Sequence, residues 1–68
     1  MDRKAVGVKL RELRLRSGKT IDEVAKDNRI SASALSMYEA GSRMPRDEIK
    51  ERLAHYYRRS VGSLFFTP

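Results

Sequence analysis

Cysteine is absent from this chain of 68 residues, and so is any long apolar run. Without cysteine the chain forms neither disulfides nor thiolate metal sites, which fits a reducing, cytoplasmic setting. No apolar stretch approaches the ~18 residues that span a bilayer, and the charged residues 1–20 lack the apolar segment of a secretion signal. The length predicts one small domain, residues 1–68, with a stability on the order of 3–5 kcal/mol.

Histidine is almost as scarce, which bears on catalysis. His55 is the only histidine, and it is predicted on the outward side of a helix, with neither a cysteine nor a convincing carboxylate partner. The four glycines are dispersed along the chain, so they form no glycine-rich phosphate loop. We therefore expect no enzyme activity, no metal site, no cofactor and no small-molecule substrate.

Positive charge is what the chain has in excess. Its formal net charge is +6, from 15 Lys and Arg against 9 Asp and Glu. The excess lies at the two ends, because residues 1–19 carry +5, residues 20–48 carry −2 and residues 49–68 carry +3. This balance points to a nucleic acid or an anionic membrane surface as the partner, or to a basic domain that is merely soluble.

Apolar residues recur with helical spacing along the chain. The first helix is predicted over residues 2–17, with Gly18 as its left-handed stop. Its core stripe consists of Val6, Leu10 and Leu13. A weaker stripe, Val8 and Leu15, either packs under the C-terminus or is exposed. If this basic helix bound a membrane surface, its core stripe would have to face the lipid. We do not expect this, because so short a chain needs those residues for its own core.

The second helix begins at a capping box in the segment TIDE. The Thr20 hydroxyl and the Glu23 carboxylate are spaced to accept each other's backbone N–H groups. The helix buries Val24 and Ala25 and ends near Asn28. A tight turn follows at Asn28 and the next residue, and Asn28 is expected to supply its left-handed conformation.

Three further helices are predicted. Ser31 caps the third, which runs to about Ala40 and stops at Gly41. Pro45 is expected to be the first residue of the fourth. The core stripe of the fourth is Ile49, Leu53 and either Tyr56 or Tyr57, and Ser60 caps a last short helix that holds Val61, Leu64 and Phe65. The predicted fold class is therefore all-α with five short helices, and residues 20–40 have the helix-turn-helix spacing.

The third helix has an unusual outward side. At 100° per residue, Leu35 and Tyr38 point inward and Ala32 lies at the edge, whereas the opposite side holds Ser33, Ser36, Met37 and Ala40. Solvated helix faces ordinarily carry Lys, Glu and Gln, and this one carries none. It is either an unremarkable exposed face or a surface for close approach, such as entry into a DNA major groove, where Ser reads base edges and Ala or Met contacts thymine methyls.

Four segments then resemble the lambda repressor/Cro-like (XRE) helix-turn-helix family: VGVKLRELRLRSGKT, IDEVAKDNRIS, ALSMYEAGSRMPR and SVGSLF. Their order and spacing match from about Val6 to Phe65. The resemblance implies that the third helix is the recognition helix and that an ion pair joins Arg14 to Glu39. It also implies base reading by Ala32, Ser33, Ser36 and Met37, and DNA-backbone contacts at Lys19, Thr20, Ile21, Ser42, Arg43 and Arg46.

The chain departs from the pattern of that family at three places. Ile21 stands where members often have Gln. Arg29 occupies the position of the turn glycine, after Asn28 in place of an apolar residue. Arg58 and Arg59 replace a usual pair of Gly and an apolar residue.

The resemblance implies a sequence-specific DNA-binding transcriptional regulator, in particular a repressor. One recognition helix buries little surface, so we expect a homodimer on double-stranded DNA, with inverted half-sites about one helical turn apart. The dimer contact is assigned to Leu64, Phe65 and Phe66, of which the first two are alternatively core residues. The rival interpretation is a protein-interaction module of the same fold, of the antirepressor or antitoxin type.

Overall fold

The computed structural model describes residues 2–66, and these form five α-helices joined by short turns. No strand occurs within those residues, so the predicted all-α fold class is confirmed. The helices are α1 (Arg3–Arg16), α2 (Ile21–Asp27), α3 (Ala32–Ala40), α4 (Asp47–Tyr56) and α5 (Val61–Phe65).

Side-chain caps define where most of the helices begin. At α2 the predicted capping box is present: the Thr20 hydroxyl accepts the Glu23 N–H at 3.1 Å, and the Glu23 carboxylate accepts the Thr20 N–H at 2.9 Å. Each such bond satisfies a backbone donor that the first turn leaves without a helical partner. Three more helices begin at a residue whose side chain accepts a first-turn N–H, namely Asp2, Ser31 and Ser60.

The core takes one completely buried side chain from every helix. These five have no exposed surface: Leu10, Val24, Leu35, Leu53 and Phe65. Because burial of such a side chain contributes about 1.5–3 kcal/mol, the five anchors tie all the helices to one centre. The weaker stripe of α1 does not join them, since Val8 and Leu15 are more than half exposed.

The fourth helix begins two residues later than the proline predicted. Pro45 is buried ahead of the helix, and Arg46 is the N-cap, with extended backbone angles of −71° and 167°. The Arg46 carbonyl accepts the first helical N–H groups, from Ile49 and Lys50 at 3.0 Å each. Both Tyr56 and Tyr57 are half-buried, so neither alone completes the core stripe.

The turn between α2 and α3 also differs from the prediction. Asn28 is not the left-handed residue; Arg29 is, with φ of 59°. Asn28 is buried, and its amide donates to the Val24 carbonyl at 2.9 Å while its own carbonyl accepts from Arg52 at 2.9 Å. These bonds hold Asn28 at φ of −101° and ψ of 6°. The left-handed residue of the turn is therefore Arg29. A second left-handed arginine, Arg58 with φ of 57°, follows α4.

Candidate nucleic-acid interface

The outward side of α3 is exposed and built of short side chains. Ser33, Ser36 and Ala40 are exposed, Met37 is 38% exposed and Ala32 is half-buried. The opposite side is anchored by Leu35 and by Tyr38, which are both buried. This follows from the period of 3.6 residues, which places the two apolar anchors on one face of a nine-residue helix. The face has no long charged side chain that would hold another surface away.

An ion pair fixes the end of this helix against α1. The Arg14 guanidinium donates two hydrogen bonds to the Glu39 carboxylate, at 2.8 and 3.1 Å, and a third to the Lys19 carbonyl at 3.0 Å. The two side chains are only 13% and 7% exposed. The hydrogen bond to Glu39 raises the pKa of Arg14, against the opposing effect of burial. The pair implied for these two residues is thus present, and it positions α3 rather than leaving a free cation.

A groove of about 260 Å³ runs between α1, the start of α2 and α3. It brings the proposed base-reading Ser36 next to the proposed backbone contact Ile21. It also adds Arg11, which no sequence motif had singled out. The available signal was its spacing, because Arg11 precedes Arg14 by three positions and therefore lies on a neighbouring part of α1. The remaining lining residues are Arg14, Glu39 and Ala40.

The start of α2 holds two of the predicted backbone contacts but not the third. Thr20 is exposed and Ile21 half-buried, and the capping box occupies the Thr20 N–H. The Lys19 ammonium lies elsewhere, because it pairs at 3.4 Å with Asp27, the last residue of α2, and sits 5.4 Å from the centre of the Tyr56 ring. The structure therefore does not bring the Lys19 charge together with the other predicted contacts.

The loop between α3 and α4 carries two exposed cations, Arg43 and Arg46. Ser42 packs back onto α3, donating from its hydroxyl and its N–H to the Met37 carbonyl at 3.2 and 3.0 Å. Arg43 and Arg46 are exposed, and neither forms an ion pair with a residue in the described range 2–66. Both guanidinium groups are therefore available to an anionic partner.

The predicted dimer contact needs correction. Leu64 is 2% exposed and Phe65 has no exposed surface, so both are core residues and offer nothing to a partner. They are buried because α5 is a short helix that closes the core against α1 and α4. Phe66 is 54% exposed, and the Lys50 ammonium lies 4.9 Å from the centre of its ring. Of these three residues, only Phe66 has an exposed apolar surface that a second copy could contact.

Within residues 2–66, no group of three or more His, Asp or Glu side chains is placed to hold a metal ion. None of the five helices is both long and apolar enough to cross a membrane.

Known proteins share this architecture. A family model described as a helix-turn-helix domain matches residues 5–64. The fold is similar to the crystal structure of the clp gene regulator ClgR from C. glutamicum, with a TM-score of 0.81 and 31% sequence identity over 94% of this chain and 83% of that one. A search of curated proteins gave no match. On this evidence the chain belongs to the XRE-type helix-turn-helix family.

Proposed function

We propose that this protein is a sequence-specific transcriptional repressor that inserts α3 into the DNA major groove. The observation that supports it best is the exposed face of α3, which is built of short side chains and is followed in the chain by two arginines without ion pairs among the described residues. The major groove admits one helix and offers donors, acceptors and thymine methyls. The Ser33 and Ser36 hydroxyls suit the polar base edges, and Ala32 and Met37 suit the methyl groups.

The flanking cations suit the phosphates of the two strands. Arg43 and Arg46 lie on the loop side, and Arg11 lines the groove on the α1 side. The Ile21 side chain has no hydrogen-bond donor, so its part is a contact through its main-chain N–H. The Thr20 N–H is occupied by the capping box, so Thr20 contacts the DNA backbone with its hydroxyl, which accepts from Glu23 and still has a proton to donate. Ser42 is exposed in the loop between α3 and α4, directly before Arg43. Phosphate contacts fix register and orientation, whereas the bases decide the sequence that is bound.

The salt dependence of binding tests this proposal. Arg43→Ala should weaken binding to all DNA sequences alike and reduce the slope of log affinity against log salt by about one. Filter binding or fluorescence anisotropy over a salt series measures that slope. Arg59→Ala is the matched control, because it removes the same charge at the far end of α4 and should leave the slope almost unchanged. If the affinity of the unaltered protein for DNA barely responds to salt, the result would instead support the rival interpretation, a protein-interaction module of the same fold.

We also propose that the protein binds as a symmetric dimer to inverted half-sites about 34 Å apart. The two copies contact each other through Phe66. Phe66→Ser should weaken dimerisation at least about tenfold, because aromatic anchors carry much of the energy of an interface. Its fold should survive, since Phe66 is largely exposed. Sedimentation equilibrium gives the mass in solution. Leu15→Ser removes an equally exposed apolar side chain on α1 and should not change that mass; equal effects of the two variants would contradict the assignment.

A further inference from the structure

A second positively charged surface lies away from the recognition face. It is an open cavity of about 350 Å³ beside the C-terminal ends of α1 and α4. Ten residues of α4 correspond to about 15 Å, so the cavity is at the opposite end of that helix from Arg46. Its principal lining residues are four cations and two tyrosines, namely Arg16, Lys19, Arg58, Arg59, Tyr56 and Tyr57.

The cations of this cavity exceed the negative charge around them. Lys19 is balanced by Asp27, whereas Arg16 meets Glu12 only at 4.0 Å with both side chains largely exposed. Arg58 and Arg59 pair with no acid among residues 2–66. The C-terminal ends of the two helices together supply about one unit of negative charge. An excess of about one to two positive charges is left, and an anion is the natural counterpart.

The backbone at Arg58 supports a role for its side chain. Its φ of 57° lies in the left-handed region, which glycine adopts freely and which a residue with a Cβ adopts at a cost. An arginine at this position therefore opposes the local backbone preference. The benefit that offsets this cost is not an internal contact, because Arg58 is exposed and has no ion pair within the described part of the chain.

Two tyrosines give the cavity a neutral aromatic wall. Their ring centres are 5.1 Å apart and the rings meet edge to face at 77°. The Tyr56 hydroxyl donates to Asp27 at 2.7 Å, which fixes its ring. Burial raises the pKa of Tyr57 to about 12, so its phenol is neutral and does not repel an anion. Arginines beside this wall can bind phosphate oxygens with charge-assisted hydrogen bonds.

We propose that this cavity binds a small polyphosphate anion. Its volume falls in the range of about 300–1,000 Å³ that is typical of small-molecule sites. Arginines on the rim supply the donors for the phosphates, and the neutral tyrosines border the site without repelling them. This site is independent of the recognition face and of DNA binding.

The test is calorimetric titration of the full chain with ATP and, separately, with pyrophosphate, in the absence of DNA. Arg58→Gly should weaken binding of both probes by about tenfold or more, since a hydrogen bond to a charged group is lost. It also relieves the left-handed backbone, so a thermal melt should show a fold at least as stable as the unaltered protein. Loss of binding in that variant cannot then be assigned to unfolding.

Arg29→Gly is the matched control. It removes the same charge and relieves the same backbone conformation, with φ of 59°, outside the cavity. It should change the affinity for either probe less than twofold. Equal losses in the two variants, or no saturable binding of either probe to the unaltered protein, would overturn the proposal. So would a dependence on Arg58 seen only with duplex DNA, which would assign the cavity to a nucleic-acid backbone.

Discussion

Replacing Ser33 with glutamate is expected to abolish specific DNA binding while leaving the fold intact. Ser33 is the second residue of α3 and its side chain is exposed. In the proposed complex, a carboxylate there would point at base acceptors and phosphates inside the polyanionic major groove. We expect an affinity loss of at least about 100-fold, or about 2.7 kcal/mol. The same carboxylate suits the positive end of the helix, so the helical circular dichroism and the melting temperature should not fall.

A matched control separates the position of the charge from the charge itself. His55→Glu also places an anion at an exposed position, in the last turn of α4. It should weaken binding only a fewfold, through the overall field of the protein. Ser33→Ala should weaken DNA binding by no more than the contribution of one hydrogen bond. Tight binding by Ser33→Glu, measured by anisotropy on a sequence selected from a random pool, would reject α3 as the reading helix.

Local chemistry explains why much of the fold could be predicted. Thr20, Ser31 and Ser60 mark helix starts because each supplies the side-chain acceptor that a first turn requires. The α3 face follows from periodicity alone, since Leu35 and Tyr38 leave only one side free. The prediction fails at Pro45 and Asn28, where burial and tertiary hydrogen bonds override the preference of the single residue.

The candidate site was less predictable, because its parts meet through tertiary packing. Arg11 approaches Ser36 only when α1 crosses α3. The Lys19 side chain has several directions open to it, and the contact with Asp27 and Tyr56 decides among them. Phe65 and Phe66 are chemically identical neighbours, and only the completed core shows that the first is inside and the second outside.

Gly7 is a position where tertiary packing and helix propensity make opposite predictions for a substitution. In an isolated helix, Gly→Ala stabilises by about 1 kcal/mol. Here a Cβ on Gly7 would lie 2.4 Å from the Glu39 carbonyl oxygen and 2.7 Å from that of Tyr38. Both obstacles are backbone atoms at the end of α3. The Arg14 pair with Glu39 holds that end in place, so α1 and α3 would have to separate by about 1 Å to restore van der Waals contact.

Gly7→Ala is therefore expected to destabilise the protein by about 3 kcal/mol, and to lower Tm by roughly 15 °C. This is most of the stability of a chain of this size, so a large part of the variant should be unfolded at about 37 °C. Gly62→Ala is the control with the opposite sign. Gly62 is also helical, but apart from its chain neighbours and its own helix backbone no atom lies within 4 Å of its added Cβ, so the change should raise Tm by a few degrees. Thermal and urea melts followed by circular dichroism measure both. If both variants gain stability, the close crossing of α1 and α3, which orients the proposed recognition helix, is wrong.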